Sequence, residues 1–416
     1  MSERKTEETT PDTELKGVHA LGTDDLTFSD PLPDVHTASL RIGGCAWVDT
    51  AEGAVLIDTL LNEQVARKAF ARIRGPLKYI IYTHGHGDHV GGTRAFLKDD
   101  PEIIASEYLP ERFDKYKMLN RHVTRVRAQQ FLVPDDPAAR AALMAARVYP
   151  TKTFMGELTI RLGGKTFELR TARAETDDVV WVWVPELKSA FIGDLVITSF
   201  PNVGNPWKPT RFALGWAKTL ETIRAKEPEY VFCNGAGLVH EGRAALDALD
   251  ANIEVIRSLH DQVVDCINRG VHISEMIHEV KVPDHLKDNP YLAMRYSRVE
   301  FFVYNVYRWY HGYFDGNPAH LLPRPEKELQ RELMALIGAP EKVLAKAAEL
   351  QEQGRPQLGL QVLDVLIQAE PANVPARELR IKLLTELGTA DTCLMSRNSW
   401  VYFIEQDKAF LRASPE

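Results

Sequence analysis

Histidine and aspartate are concentrated in one short segment, Thr83-His84-Gly85-His86-Gly87-Asp88-His89. Imidazole nitrogens and aspartate oxygens are ligands that zinc and similar ions accept. Residues two apart in an extended turn project the same way, so His84 and His86 can bind one ion while Asp88 and His89 face a second. The glycines allow a tight turn. The spacing therefore favours a metal site over a histidine-rich surface loop.

Two acidic residues far along the chain are candidates for completing this site. Glu175 lies between two predicted strands and is expected to bind the first ion, while Asp194 ends an apolar strand and could bridge both ions. Each could instead be an acid that caps a helix or closes a turn. Asp88 and Asp194 are the predicted catalytic residues. Asp58, at the end of another apolar run, is expected to accept hydrogen bonds behind the metal loop.

The elements that position these residues alternate between strand and helix. A predicted helix over 61–74 is followed by a buried strand over 79–82, which leads directly into the metal loop. Further strands are predicted at 46–48, 54–57, 158–162, 166–170, 179–184, 190–192 and 230–233. This alternation predicts an α/β sandwich.

Strand patterns nearly vanish after about residue 250, and helices are predicted at 253–268 and 296–311. Residues 340–388 resemble one and a half tetratricopeptide-type repeats, the last helix being closed by Gly388. A chain of 416 residues exceeds one compact core. Three regions are predicted: a disordered or extended tail, an α/β catalytic domain and an all-α domain, over residues 1–25, 26–250 and 251–416.

Composition excludes several classes of protein. The 50 basic and 58 acidic residues give a net charge of −8, which disfavours binding to nucleic acid or to an anionic membrane. No apolar run approaches the roughly 18–20 residues of a membrane span, and the N-terminus lacks the apolar core of a signal peptide. The four cysteines are widely separated, as in proteins of a reducing compartment. The cytoplasm is the expected location.

Four motifs of the chain resemble those of the metallo-β-lactamase superfamily. They are Ile57-Asp58-Thr59, the metal loop continued through Val90-Gly91-Gly92, Ala174-Glu175-Thr176 and Gly193-Asp194. The resemblance implies the αββα sandwich of that superfamily. Glutamate at 175, where most members have histidine, is similar to the alkyl sulfatase (type III sulfatase) branch. So is Gly312-Tyr313-Phe314-Asp315-Gly316-Asn317-Pro318-Ala319, which resembles the signature of that branch's dimerisation domain. The resemblance implies a homodimer with two zinc ions per chain that hydrolyses an anionic sulfate ester.

Two departures from that branch bear on activity. Where the superfamily carries a histidine ligand for the second ion, this chain has Ala236, so the second ion is expected to bind weakly or be lost. His240, four residues further on, is a less favoured substitute. The chain also ends at Glu416 without a segment resembling the branch's sterol-carrier-like domain, which disfavours long-chain sulfates as substrates.

Residues after Asp194 are the candidates for binding substrate. Arg211, with Asn202 and Asn205, lies where the branch places its sulfate-binding residues, although Arg211 could equally form a surface ion pair. A lactonase, thioesterase or phosphodiesterase of the same fold is an alternative, because fold does not fix function. A metal-binding pseudoenzyme is another, because a ligand is missing at 236.

Overall fold

The computed structural model describes residues 15–17, 25–197, 199–233 and 239–413. The chain divides into two compact units, one formed by His19–Leu321 and the other by Leu322–Glu416 together with Met1–Val18. Every predicted site residue belongs to the first unit.

The first unit contains two mixed β-sheets. Among the described residues, the first sheet has the order β1-β2-β3-β4-β5-β6-β7 and the second the order β13-β12-β11-β10-β9-β8. The strands are β1 Thr27–Leu32, β2 Val35–Ser39, β3 Gly44–Thr50, β4 Gly53–Ile57, β5 Leu77–Ile81, β6 Glu102–Ser106, β7 Lys152–Phe154, β8 Glu157–Leu162, β9 Lys165–Ala172, β10 Val179–Val184, β11 Ser189–Gly193, β12 Tyr230–Cys233 and β13 Val239–Glu241. Strands β4 to β7 are parallel to one another, as are β11 and β12.

The two sheets pack face to face, as the alternation of side chains along β10 illustrates. Val180 and Val182 belong to the core between the sheets, where they meet Ile57 and Ile81 of the first sheet. The intervening Trp181 belongs to a separate core on the outer face of the second sheet. Because both faces of β10 are buried, the strand is apolar throughout.

Helices cover the outer face of each sheet, which gives the αββα sandwich expected from the resemblance. The helices are α1 Glu63–Phe70, α2 Gly87–Val90, α3 Leu109–Met118, α4 Asn120–Phe131, α5 Pro137–Ala145, α6 Ala213–Arg224, α7 Arg243–Arg269, α8 Ile273–Glu279, α9 Val299–Tyr310, α10 Glu326–Ile337, α11 Pro340–Glu352, α12 Pro356–Ala369, α13 Val374–Ala390 and α14 Leu394–Ala413. Helix α1 packs on the first sheet, whereas α6, α7 and α9 pack on the second. Among the described helices, none has the length and apolar content to cross a membrane.

Several boundaries differ from the sequence prediction. The edge strand β1 and its neighbour β2 were not predicted, because polar residues interrupt the apolar alternation of both and β1 also contains Pro31. Helix α7 begins ten residues earlier than predicted and runs through residue 250. The domain boundary predicted at residue 250 therefore lies inside a helix, and that boundary remains a prediction. Gly388 does not end its helix: it lies inside α13, where an added Cβ would meet Leu15 Cδ2 at 2.2 Å. Close packing, rather than a helix end, explains this glycine.

Candidate metal centre

Three loops at one edge of the sandwich bring the predicted ligands together. The metal loop follows β5 and leads into α2, Glu175 lies between β9 and β10, and Asp194 directly follows β11. Gly193, which ends β11, has φ +53°, and a Cβ there would lie 2.6 Å from Thr83 Oγ1. A residue without a side chain is therefore needed for Asp194 to approach the metal loop.

The first group of potential ligands comprises His84, His86, Glu175 and Asp194. Its ligand atoms all lie within 4.8 Å of one another. His84 Nε2 is 3.6 Å from Glu175 Oε2 and 4.0 Å from Asp194 Oδ2. His86 Nδ1 is 3.5 Å from Glu175 Oε1. Two nitrogens and two carboxylates form a donor set that suits zinc.

The second group comprises Asp88, His89 and Asp194. His89 Nε2 lies 3.5 Å from Asp88 Oδ2 and 3.3 Å from Asp194 Oδ1. Asp194 thus belongs to both groups, with Oδ2 facing the first and Oδ1 the second. The structure thus brings all six predicted ligands together, with Asp194 between the two groups.

Asp58 lies behind the metal loop and is fully buried. It accepts hydrogen bonds from Thr83 N to Oδ1 at 2.7 Å and from Thr83 Oγ1 to Oδ2 at 2.6 Å. Its Oδ2 is also 2.7 Å from His89 Nδ1. A carboxylate in this position fixes the imidazole so that Nε2 points into the second group.

Burial and neighbouring charges prepare the first group for a cation. Burial, together with nearby cationic groups, lowers the pKa of His84 and His86 well below the usual value, which keeps both imidazoles neutral. Burial raises the pKa of Glu175 to about 7, although Arg211 opposes the shift. The buried carboxylate is therefore poorly compensated in the absence of a cation.

The second group titrates differently. Burial lowers the pKa of His89, but Asp194, Asp58 and Asp88 outweigh it and raise the pKa well above the usual value. Burial raises the pKa of Asp88, but His89 outweighs it and lowers that pKa. The carboxylates around His89 thus favour a positive charge at this place, which either a proton or a metal cation can supply.

Two buried atoms test whether a metal fits these residues. His89 Nε2 and Glu175 Oε2 are both buried and have no hydrogen-bond partner in the described part of the chain. Unpaired buried polar atoms are costly, and each of these faces one of the two groups. The donor set and these atoms fit a metal centre.

Metal loading should release protons. Ligands must be deprotonated to bind, and the raised pKa values mean that His89, and Glu175 in part, carry protons near neutral pH. Metal affinity should therefore fall as pH is lowered from 8 to 6, and zinc addition at pH 7 should acidify a weakly buffered solution. A pH indicator measures the release. His89→Ala should reduce it, and an unchanged release in that variant would contradict the expectation.

Of the predicted substrate-binding residues, Arg211 lies directly beside the first group. Arg211 is nearly buried, forms an ion pair with Glu175 and donates a hydrogen bond from Nη1 to Asn202 O at 2.9 Å. Asn205 Oδ1 accepts from Trp207 N at 3.0 Å. Asn202 Oδ1 and Asn205 Nδ2 are buried without a partner among the described residues. Arg211 therefore holds Glu175, and the two amides keep unused hydrogen-bonding capacity.

Two protein families match this chain. A model of the metallo-beta-lactamase superfamily matches residues 40–235, and a model of alkyl sulfatase dimerisation matches residues 272–407. The chain therefore carries a metallo-beta-lactamase domain followed by an alkyl sulfatase dimerisation domain. One relative, a linear primary-alkylsulfatase of a Pseudomonas strain, is 26% identical over 377 residues, which cover 84% of this chain and 71% of the relative.

Another relative is an (R)-specific secondary-alkylsulfatase of Pseudomonas, 24% identical over 388 residues that cover 85% of this chain and 58% of the relative. The solved structure of a stereoselective inverting sec-alkylsulfatase of Pseudomonas superimposes with a TM-score of 0.82 at 21% identity, covering 94% of this chain and 66% of that one. This likeness shows the fold. The chain thus spans less than two thirds of the length of some of the alkyl sulfatases that it matches.

The superfamily's ligand position at Ala236 lies outside the described residues, so its substitution stays a prediction about the second ion. His240, the less favoured substitute, lies on β13 and packs edge-on against Tyr291, with ring centroids 5.3 Å apart. It belongs to neither ligand group of the described residues.

Sequence reasoning missed three residues near this candidate metal centre, Lys208, Tyr296 and Arg127, whose charges interact with its ligands. Burial, Arg211 and Arg127 lower the pKa of Lys208 to about 8, and Lys208 in turn lowers that of His86. Burial and Asp88 raise the pKa of Tyr296. The third, Arg127, lies on α4. The helical period could have suggested it, because that period places Arg127 on the face of α4 that points away from the exposed Arg121 and Arg125. No local signal distinguishes Lys208 or Tyr296.

Proposed function

We propose that this protein is a zinc-dependent hydrolase of alkyl sulfate esters. The observation that carries the proposal is the pair of ligand groups that share Asp194, found in a chain with an alkyl sulfatase dimerisation domain. His84, His86, Glu175 and Asp194 would hold the first zinc ion. Asp88, His89 and Asp194 would hold the second more weakly, because they offer three ligands where zinc generally takes four.

Bound zinc supplies a Lewis acid and lowers the pKa of water from 15.7 to about 7. The chain's own residues then divide the remaining work. Arg211 holds Glu175 towards the first group, and Asp58 orients His89. Asp88 and Asp194, the proposed catalytic carboxylates, are well placed to accept hydrogen bonds from an attacking water. Sulfate is a good leaving group, so cationic and amide contacts matter more than a proton donor.

Lys208 is the cation that we assign to the anionic end of the substrate. Arg211 is engaged by Glu175, whereas Lys208 is half-buried and close enough to Arg211 and Arg127 for their charges to lower its pKa. Three cations converging beside the ligands favour an anion. The unused polar atoms of Asn202 and Asn205 support the same side of the site for hydrogen bonding to sulfate oxygens.

Lys208→Gln should raise KM for an alkyl sulfate by about 10- to 100-fold, since a hydrogen bond to a charged group contributes about 1.5–3 kcal/mol. In the wild-type protein, KM should rise as pH passes about 8, because the ammonium is charged below its pKa and neutral above it. Steady-state kinetics between pH 6 and 9.5 measure both effects. The exposed Lys218→Gln is the charge-matched control. Equal KM values for the two variants would contradict the assignment.

The dimerisation domain supports a homodimer, and the exposed aromatic side chains Tyr304, Trp309 and Tyr310 of α9 are suited to such an interface. The four cysteines are buried free thiols, which supports the cytoplasm or another reducing compartment as the location.

The test is release of inorganic sulfate from short primary and secondary alkyl sulfates by the zinc-loaded full chain. Lactone, thioester and phosphodiester substrates are assayed in parallel. In ¹⁸O-labelled water, label in the alcohol would indicate attack at carbon, and label in the sulfate would indicate attack at sulfur. Sulfate release that chelation abolishes and zinc restores is expected. Cleavage of a lactone alone would overturn the proposal, and a zinc-loaded protein inactive on every substrate would favour a pseudoenzyme.

A further inference from the structure

A buried carboxylate outside the ligand groups contacts the middle of the metal loop. Gly85, between His84 and His86, donates its backbone N–H to Asp178 Oδ2 at 2.8 Å. Asp178 is fully buried and follows Glu175 by three residues, immediately before β10. A single side chain therefore connects the loop carrying two histidines of the first group with the loop carrying its glutamate.

An arginine side chain on α3 forms an ion pair with this carboxylate. Arg112, on α3, places Nε 2.8 Å from Asp178 Oδ1 and forms a second ion pair with Asp177. Arg112 Nε and Asp178 Oδ1 lie close together, but the angle between them is not that of a hydrogen bond. Replacing buried ion pairs by apolar residues is often neutral for stability. A positioning role accounts for this pair better than a contribution to stability does.

Gly85 is shaped to receive the pair. An added Cβ would lie 2.8 Å from Arg112 Cδ and 3.1 Å from Asp178 Oδ2, so a side chain here would push both residues away. Asp58 contacts Thr83 and His89 on the other side of the metal loop. The loop is thus held at two independent points, one beside each ligand group.

We propose that Asp178 and Arg112 are a positioning pair that presets His84 and His86 for the first metal ion and couples the α3 helix to metal binding. The proposal rests on the proposed function only in that a metal binds the first group, and it requires no sulfatase activity. Partners behind metal ligands typically change affinity by about 10- to 100-fold. Asp178 should do so through the backbone of Gly85 rather than through a ligand side chain.

The experiment measures zinc affinity in a His89→Ala background, where the first group is the intact one, by competition with a chromophoric chelator. Asp178→Ala should weaken zinc binding by about 10- to 100-fold. Asp178→Asn keeps an oxygen for the Gly85 amide and should recover much of the affinity. Arg112→Gln should weaken binding in the same direction and serves as the second variant if Asp178→Ala folds poorly. Circular dichroism and thermal melting report on folding.

Asp407→Ala is the matched control. Asp407 is also fully buried between two arginines, Arg377 and Arg380, but belongs to the other compact unit. It should lower the melting temperature without changing zinc affinity. Wild-type-like affinity in Asp178→Ala, or an equal loss in Asp407→Ala, would overturn the positioning role. If the His89→Ala protein binds zinc but the wild-type protein releases no sulfate, only the proposed function is overturned. If the His89→Ala protein binds no metal, both proposals are overturned.

Discussion

Asp194→Ala should weaken both metal ions at once, an effect that no other single ligand substitution should produce. Asp194 Oδ2 faces His84 at 4.0 Å and Oδ1 faces His89 at 3.3 Å, so one side chain serves both ligand groups. Metal chemistry contributes several kcal/mol to transition-state stabilisation. Its loss should reduce kcat/KM by about a thousandfold, since about 1.4 kcal/mol corresponds to a factor of ten.

Asp194→Asn sharpens this experiment. Asparagine keeps one oxygen and replaces the other with an amide nitrogen that cannot bind a cation, so this variant should retain at most one ion. Zinc titration gives the number of ions bound, and kinetics on the loaded proteins give kcat/KM. Asp250→Asn removes a carboxylate that is paired with Arg224 and lies outside both ligand groups, and it should change neither quantity. Two ions bound with unchanged affinity in Asp194→Ala would rule out a bridging role.

The parts of this site that the sequence predicted are those encoded over short distances or at strand ends. His84, His86, Asp88 and His89 lie within six residues and directly follow an apolar strand. Glu175 and Asp194 were found because acidic residues at the ends of buried strands are conspicuous. The α/β sandwich followed from strand and helix periodicity in the same way.

The residues that sequence reasoning missed reach the site through long-range packing. Gly85 and Asp178 are 93 positions apart, and nothing in Asp177-Asp178 distinguishes a buried positioning carboxylate from a turn acid. Lys208 follows a proline- and asparagine-rich stretch that carries no helical or strand period. The contact of Arg211 with Glu175 also has no local signal in the sequence, because it depends on how two loops meet.

Ala236→His should strengthen the second ion and raise activity. Among the described residues the second group offers Asp88, His89 and a share of Asp194, one fewer ligand than zinc generally takes. Four-ligand zinc sites bind with about 10–16 kcal/mol, so one further ligand contributes about 3 kcal/mol, or roughly a hundredfold in affinity. With a second ion retained, kcat/KM for an alkyl sulfate should rise at limiting zinc.

Ala236→Phe is the control for this gain, because phenylalanine has a ring of similar size and no ligand nitrogen. Calorimetric titration with zinc should give a tighter second binding event in Ala236→His than in Ala236→Phe. If both variants bind zinc as the wild-type protein does, position 236 does not face the second group. If Ala236→His gains the ion without gaining activity, the second ion is dispensable and the first group alone carries the chemistry. A gain in both separates an impaired alkyl sulfatase from a pseudoenzyme, since a restored ligand can rescue only a site that is otherwise competent.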